Sequence, residues 1–178
     1  MRLFFLSLFL FFIAISNNQA TAKSFNIKTG LPISYIFSKA SDGENINTRG
    51  LPKGIIIGST LSDKYEILLE FYEIPFSDTN NLKLKNQLID FLYNYKIESL
   101  SFGFGLGFGN AEIKGDNQGD YLPANIYQYL CRFTLPLNNS LNISAGFNQI
   151  YSTIKFKETD YYLQTGGIMS SIVFSYKY

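Results

Sequence analysis

The side chains that could do chemistry are few, and the missing types narrow the possibilities first. The chain has 178 residues, with no His and one Cys, Cys131. Without imidazole there is no Ser-His-Asp or Cys-His nucleophile and no His-ligated metal. One Cys leaves neither an intrachain disulfide nor a thiolate cluster. Carboxylates remain, and no pair of them has a separation that defines a hydrolytic mechanism. Gly103, Gly105, Gly107 and Gly109 invite a phosphate-loop reading, but the spacing is G-x-G-x-G-x-G, with no Lys-Ser/Thr after it. Asp116, Asn117, Gly119 and Asp120, like Asp42, Gly43 and Glu44, hold oxygen donors without the ligand spacing of an EF-hand, and these types are ordinary turn residues. No catalytic residue, metal site or cofactor is expected.

Charge and composition bound the rest. With 15 Lys+Arg against 14 Asp+Glu, the chain has no broad basic field to hold nucleic acid, and 46% apolar residues is too rich for disorder. Arg2 is followed by an apolar run from Leu3 to Ile15, and Ala20-Thr21-Ala22 has the small-x-small pattern of signal peptidase cleavage. Residues 1–22 therefore read as a cleaved secretory signal peptide, with Ala20 and Ala22 at the cleavage site. The alternative, a membrane anchor, needs about 20 apolar residues, more than this run supplies. Residues 23–178 form one mature domain.

A period of two runs through that domain. From Leu100 to Gly109 large apolar residues alternate strictly with Gly or Ser, so a strand there has one face of bulk and one nearly bare. Related alternation covers Leu31–Ser38, Gly54–Leu61, Tyr65–Pro75, Leu122–Leu135, Leu141–Tyr151 and Gly167–Tyr178. Alternation alone does not say which face is wet, because a soluble β-sandwich or lipocalin-like barrel shows the same pattern. Size decides: the interior of an eight-stranded barrel is just wide enough for side chains, so Phe102, Phe104, Leu106 and Phe108 would overfill it. Pointing outward, they make an apolar band against lipid, with tyrosines such as Tyr127, Tyr151 and Tyr176 as interfacial girdles.

The connections set the topology. Residues 62–64 and 136–140 are short links, whereas 39–53, 110–121 and 152–166 are long ones at the opposite end, as in outer-membrane barrels. Seven strands can be read directly. Parity then requires an eighth between Phe76 and Lys96, best placed at Lys85–Tyr93 with Ile89, Phe91 and Tyr93 outward. Leu84, Leu88, Leu92 and Tyr95 would also line one face of a helix. The expected fold class is all-β, an eight-stranded antiparallel up-and-down transmembrane barrel with short periplasmic turns and longer external loops.

With the signal peptide, the Gly-alternating strands and the C-terminal Ile172-Val173-Phe174-Ser175-Tyr176-Lys177-Tyr178 in view, the chain resembles the small bacterial outer-membrane β-barrels of the OmpA/OmpX type. The resemblance implies an outer-membrane location. It also implies contact with lipid and lipopolysaccharide, and a terminal signal for the barrel-assembly machinery carried by Ile172, Phe174, Tyr176 and Tyr178. Enzymes built on such barrels depend on an active-site His that this chain lacks, so no catalytic residue is carried over. The parity also turns Ile36, Ile56, Leu68 and Leu130 into the lumen, which departs from the pattern.

Inside such a barrel, Glu66 and Glu70 on the third strand and Arg132 on the sixth share the inward face at similar heights. A guanidinium fork can bridge two carboxylates, and a charge in a narrow lumen is tolerated when paired. These residues are expected to plug the lumen; the rival reading is a gated ion path. The functional expectation is a monomeric, non-catalytic membrane barrel with a structural or adhesion-type role through its external loops. The alternatives are a small passive pore and a secreted lipocalin-like binding module.

Overall fold

The computed structural model describes residues 26–37, 51–77, 82–115, 121–158 and 162–177. The expectations for the signal peptide with Ala20 and Ala22, for Tyr178, and for Asp42, Gly43, Glu44, Asp116, Asn117, Gly119 and Asp120 lie outside the described residues. The strands are β1 (Asn26–Phe37), β2 (Lys53–Thr60), β3 (Tyr65–Ser77), β4 (Leu82–Ile97), β5 (Leu100–Lys114), β6 (Ala124–Pro136), β7 (Leu141–Lys155), β8 (Tyr162–Gln164) and β9 (Gly167–Lys177). Each of β1 to β7 pairs antiparallel with the next; β7 also pairs with β9, and β9 returns to β1. The short β8 continues the line of β9 along the far end of β7, so the closed barrel has eight strands. Closure leaves no open edge.

Three tight turns close one end. Leu61 N–H reaches the Tyr65 carbonyl at 2.8 Å, and Glu98 sits in the left-handed region at φ 53° between the paired Ile97 and Leu100. In the third turn, Asn138 Oδ1 accepts from the N–H groups of Ser140 and Leu141, both at 2.9 Å. Asn in this role supplies its own turn, which is why 137–140 closes so tightly. All connections at the other, upper end run between residues 37–53, 77–82, 114–124 and 155–162.

The expected strand at Lys85–Tyr93 is strand, not helix, and it extends to Leu82–Ile97. Leucines four apart satisfy a helical face, but four is also a multiple of two, so Leu84, Leu88 and Leu92 share one strand face. Ladders to β3 and β5 decide between the two periods. Ile89, Phe91 and Tyr93 point outward as the parity requires, and Tyr95 joins them rather than the leucines. Ile97 ends β4.

Phe104, at 60% exposure, Leu106 and Phe108 stand outward, with Gly103 and Gly107 buried behind them. Ile56, Leu68 and Leu130 face inward as the parity requires. Ile36 does not. The pairing of β1 with β9 skips between Pro32 and Ser34, and this bulge shifts the face of every later residue, so Ile36 is 53% exposed while Tyr35 and Phe37 turn in.

The alternation also reverses its sense at one level. Along β5, Phe104, Leu106 and Phe108 are outward over inward glycines, but above them Asn110, Glu112 and Lys114 are outward over Ala111 and Ile113. On β4, Ile89, Phe91 and Tyr93 lie below outward Gln87, Lys85 and Lys83, whose inward neighbours are Leu88, Leu84 and Leu82. On β3, Glu73 stands outward between inward Tyr72 and Ile74. On β7, Thr153 and Lys155 flank inward Ile154. Register joins the change from strand to strand across β4 to β7. Ile89, Phe108, Tyr127 and Tyr151 are neighbours in one row, and Gln87, Asn110 and Asn125 form the row above. On β4 to β7 the lower storey is apolar outside and the upper storey has an apolar core and a polar exterior, whereas on β1 and β9 Ile36 and Ile168 stand outward beside Tyr35, Phe37 and Met169 of that core.

The bare face of β5 is a close-approach surface. A Cβ on Gly109 would lie 1.8 Å from the Gln87 carbonyl oxygen, a backbone atom that cannot step aside. On Gly103 it would first meet Asn94 Oδ1 at 2.8 Å, the end of a side chain that can move. Gly109→Ala is therefore expected to lower stability by about 2 kcal/mol and Gly103→Ala by clearly less, measured as thermal midpoints of refolded protein in detergent. Equal midpoints would contradict the close approach.

Candidate functional site

The buried polar residues of the lower storey form a stack across the lumen. Glu66 on β3 is the centre of the lowest layer. Its Oε1 accepts from Lys28 Nζ of β1 at 2.5 Å and from Asn94 Nδ2 of β4 at 2.6 Å, and its Oε2 accepts from Arg132 Nη1 of β6 at 3.3 Å. Three strands from around the barrel are thereby tied to one carboxylate. Both cations are buried with it, so the charge-assisted bonds act in a poorly screened interior.

Two residues up each strand, the inward side chains are apolar: Ile56, Leu68, Leu92, Leu130 and Val173 pack as a disc. Above that disc lies a second polar layer. Gln128 Nε2 donates to Asp90 Oδ1 at 2.6 Å and to Glu70 Oε2 at 3.3 Å, while Asn148 Nδ2 donates to Glu70 Oε1 at 3.2 Å and to Gln128 Oε1 at 3.2 Å. Glu70 and Asp90 are both 0% exposed. The upper apolar core, including Tyr72, Leu88, Ile126, Ile150 and Met169, covers this layer from above. Inside the upper storey, Tyr35 donates its hydroxyl to the Thr165 carbonyl at 2.8 Å, tying β1 to the break between β8 and β9.

The glycine run makes the stack possible. A Cβ on Gly107 would overlap Asp90 Oδ1 and lie 2.7 Å from Gln128 Cγ, and one on Gly105 would crowd Leu130 and Leu92. With β5 contributing no side chains, residues from β4 and β6, its neighbours on either side, meet across its inner face.

Arg132 therefore reaches Glu66 but does not bridge it to Glu70, which takes its hydrogen bonds from neutral amides in the layer above. Sequence reasoning did not name Lys28, Asn94, Asp90, Gln128 or Asn148. The signal for them was present in parity: each lies on the inward face of its strand. Among the buried charged residues described in the lumen, three carboxylates face two cations. Every carboxylate has at least one donor, and each is buried among packed side chains. On β9, Ile172, Phe174 and Tyr176 point outward and pair in register with both β1 and β7. Cys131 is outward between Phe104 and Phe147 on the neighbouring strands.

No protein-family model and no curated protein sequence matches the chain. Solved structures do. Neisserial surface protein A superposes with a TM-score of 0.67 at 12% identity, covering 86% of this chain and 97% of that one. Outer Membrane Protein W of E. coli gives a TM-score of 0.56 at 7% identity over 90% of this chain and 100% of that one. The N-terminal β-barrel domain of Pseudomonas aeruginosa OprF gives 0.51 at 12% identity over 87% and 97%. At these identities the likeness is one of fold, and the fold this chain shares with them is the closed, eight-stranded antiparallel barrel of small outer-membrane proteins.

Proposed function

We propose that the protein is a monomeric, integral outer-membrane barrel that is sealed and non-catalytic and acts at the cell surface through its upper connections. The observation that carries this reading is the reversal of the alternation. An outward apolar band can be left bare only toward hydrocarbon, and the amide and charged rows above it match the passage from hydrocarbon to water. In this reading the long connections, which leave from the storey built for water, lie outside and the tight turns in the periplasm. Loops carried on a rigid wall are where such a scaffold holds its specificity. In this reading, Ile172, Phe174, Tyr176 and Tyr178 present the terminal strand to the assembly machinery, and residues 1–22 deliver the chain to it. A lipocalin-like module would need the large side chains inside the lower storey, where the lumen instead holds glycines and a polar stack.

The passive pore is the weaker reading, because four packed layers lie across the axis. Planar bilayers containing the refolded protein are expected to stay electrically silent; steady single-channel steps would favour the pore. Unboiled samples of the membrane fraction should migrate differently from boiled ones on a detergent gel, and identical migration would count against a compact barrel.

The ionic layer makes its own prediction. Arg132→Ala leaves Glu66 with one cation fewer and should cost about 3 kcal/mol, whereas Lys53→Ala, on an exposed strand end, should change the thermal midpoint little. Asp90→Asn retains the oxygen that accepts from Gln128 and removes the excess carboxylate, so its midpoint should match or exceed the wild type. A large drop on Asp90→Asn would overturn the charge count.

A further inference from the structure

The second polar layer leaves one oxygen without a hydrogen. A side-chain amide has two N–H donors, and those of Gln128 and Asn148 go to Asp90 Oδ1, Glu70 Oε2, Glu70 Oε1 and Gln128 Oε1. Nothing among the described residues donates to Asp90 Oδ2, although Asp90 is fully buried. The Asp90 and Glu70 carboxyl groups stand within hydrogen-bond reach of each other. Ionised carboxylates only accept, so a hydrogen bond between the two requires a hydrogen on one of them.

Charge points the same way. Lys28 of β1 and Arg132 of β6 both bond Glu66 in the layer below, and neither forms an ion pair with Glu70 or Asp90. The other strands turn no cation toward the pair: β5 presents Gly105 and Gly107, β2 Ile56, β7 Asn148 and β9 Val173, while the Tyr72 phenol of β3 belongs to the core above. Two like charges in contact between apolar layers repel with little screening, and a single proton both removes the repulsion and supplies the missing hydrogen. We propose that Glu70 and Asp90 hold one proton between them, carried on Asp90 Oδ2 and donated to Glu70, and that this proton latches the plug. Its release sets two negative charges against each other and loosens the layer. The inference rests on the sealed-barrel reading above and deepens it by naming what regulates the seal. The sign follows from linkage: the native chain keeps a proton that the unfolded chain has given up above about pH 5, so stability falls as pH rises. An Asn side chain at position 90 offers N–H in place of O–H and carries no charge, so Asp90→Asn keeps the hydrogen bond and loses the response to pH.

The test compares wild type, Asp90→Asn and a control, Glu158→Gln, which removes an exposed carboxylate at the upper end. Each is refolded in an ester-free detergent. Infrared spectra at neutral pH should show the carbonyl band of a protonated carboxyl group in wild type and control, shifted after refolding in heavy water and missing from Asp90→Asn. Denaturant unfolding between about pH 6 and pH 9 should show wild type and control losing stability relative to Asp90→Asn, by up to about tenfold in the folding equilibrium constant per pH unit. Absence of the band from wild type overturns the proposal, as does a stability difference between wild type and Asp90→Asn that stays constant with pH. A wild-type stability that follows sodium or calcium concentration instead of pH also overturns it, because a bound metal ion would then balance the charge. Steady channel steps from wild type that retains the band would instead overturn the sealed reading, so the two failures are distinguishable.

Discussion

A lumen only one layer of side chains wide is the constraint on which this structure depends. Eight strands close around too little space to hold the large residues of every wall. Bulk must therefore leave the interior somewhere, and in the membrane reading proposed above hydrocarbon is the solvent that accepts it. In the lower storey the phenyl and tyrosyl groups of β4, β5 and β6 go outward, and the interior is filled by a polar stack. In the upper storey leucine and isoleucine go in and, on β4 and β5, lysine, glutamate and asparagine go out. One backbone with one period serves two solvents because the exchange of faces happens between adjacent residues of the same parity.

The interior of the lower storey follows from a second economy of space. If β5 carried side chains inward, Asp90 could not reach Gln128, and Leu92 could not meet Leu130. Bare on that strand, the wall lets its two neighbours form contacts that lock distant parts of the ring. Glu66 then gathers β1, β4 and β6, while Gln128 and Asn148 tie β6 and β7 to the carboxylates of β3 and β4. The donors are chosen accordingly: a doubly paired carboxylate takes cations, and the close pair of carboxylates above it takes amides, which bond without adding charge.

Much of this was legible in the chain, and the failures have physical causes. The Phe-Gly alternation, with the narrowness of small barrels, was enough to orient the strands, and parity located β4 even though its leucines also suited a helix. The same parity put Glu66 and Arg132 on facing walls. It could not see the bulge at Pro32 and Ser34, because an extra residue leaves no mark in the pattern until the pairing with β9 is known, and Ile36 was misplaced for that reason. The partners of Glu66 were hidden for a related reason. Lys28 and Asn94 lie just beyond the expected strand ends Leu31 and Tyr93, so neither had a face until the longer β1 and β4 were seen, and the register then sets their height.

The reversal of faces was written in the sequence and is invisible to a periodicity reading, because a change of sign preserves the period. Leu82, Leu84 and Ile113 keep the alternation of Phe91 and Phe104 while exchanging what it means. Its presence at one end alone explains the asymmetry of the connections. At the lower end the strands turn back at the edge of the band, so the links need only reverse direction, as Asn138 and Glu98 do. At the upper end the wall continues beyond the band with an apolar core of its own, and that core fixes the strand ends. Tyr35 bonded to the Thr165 carbonyl, and β8 held against β7, brace the rim. A rim held by its own core gives the connections that leave it fixed starting positions.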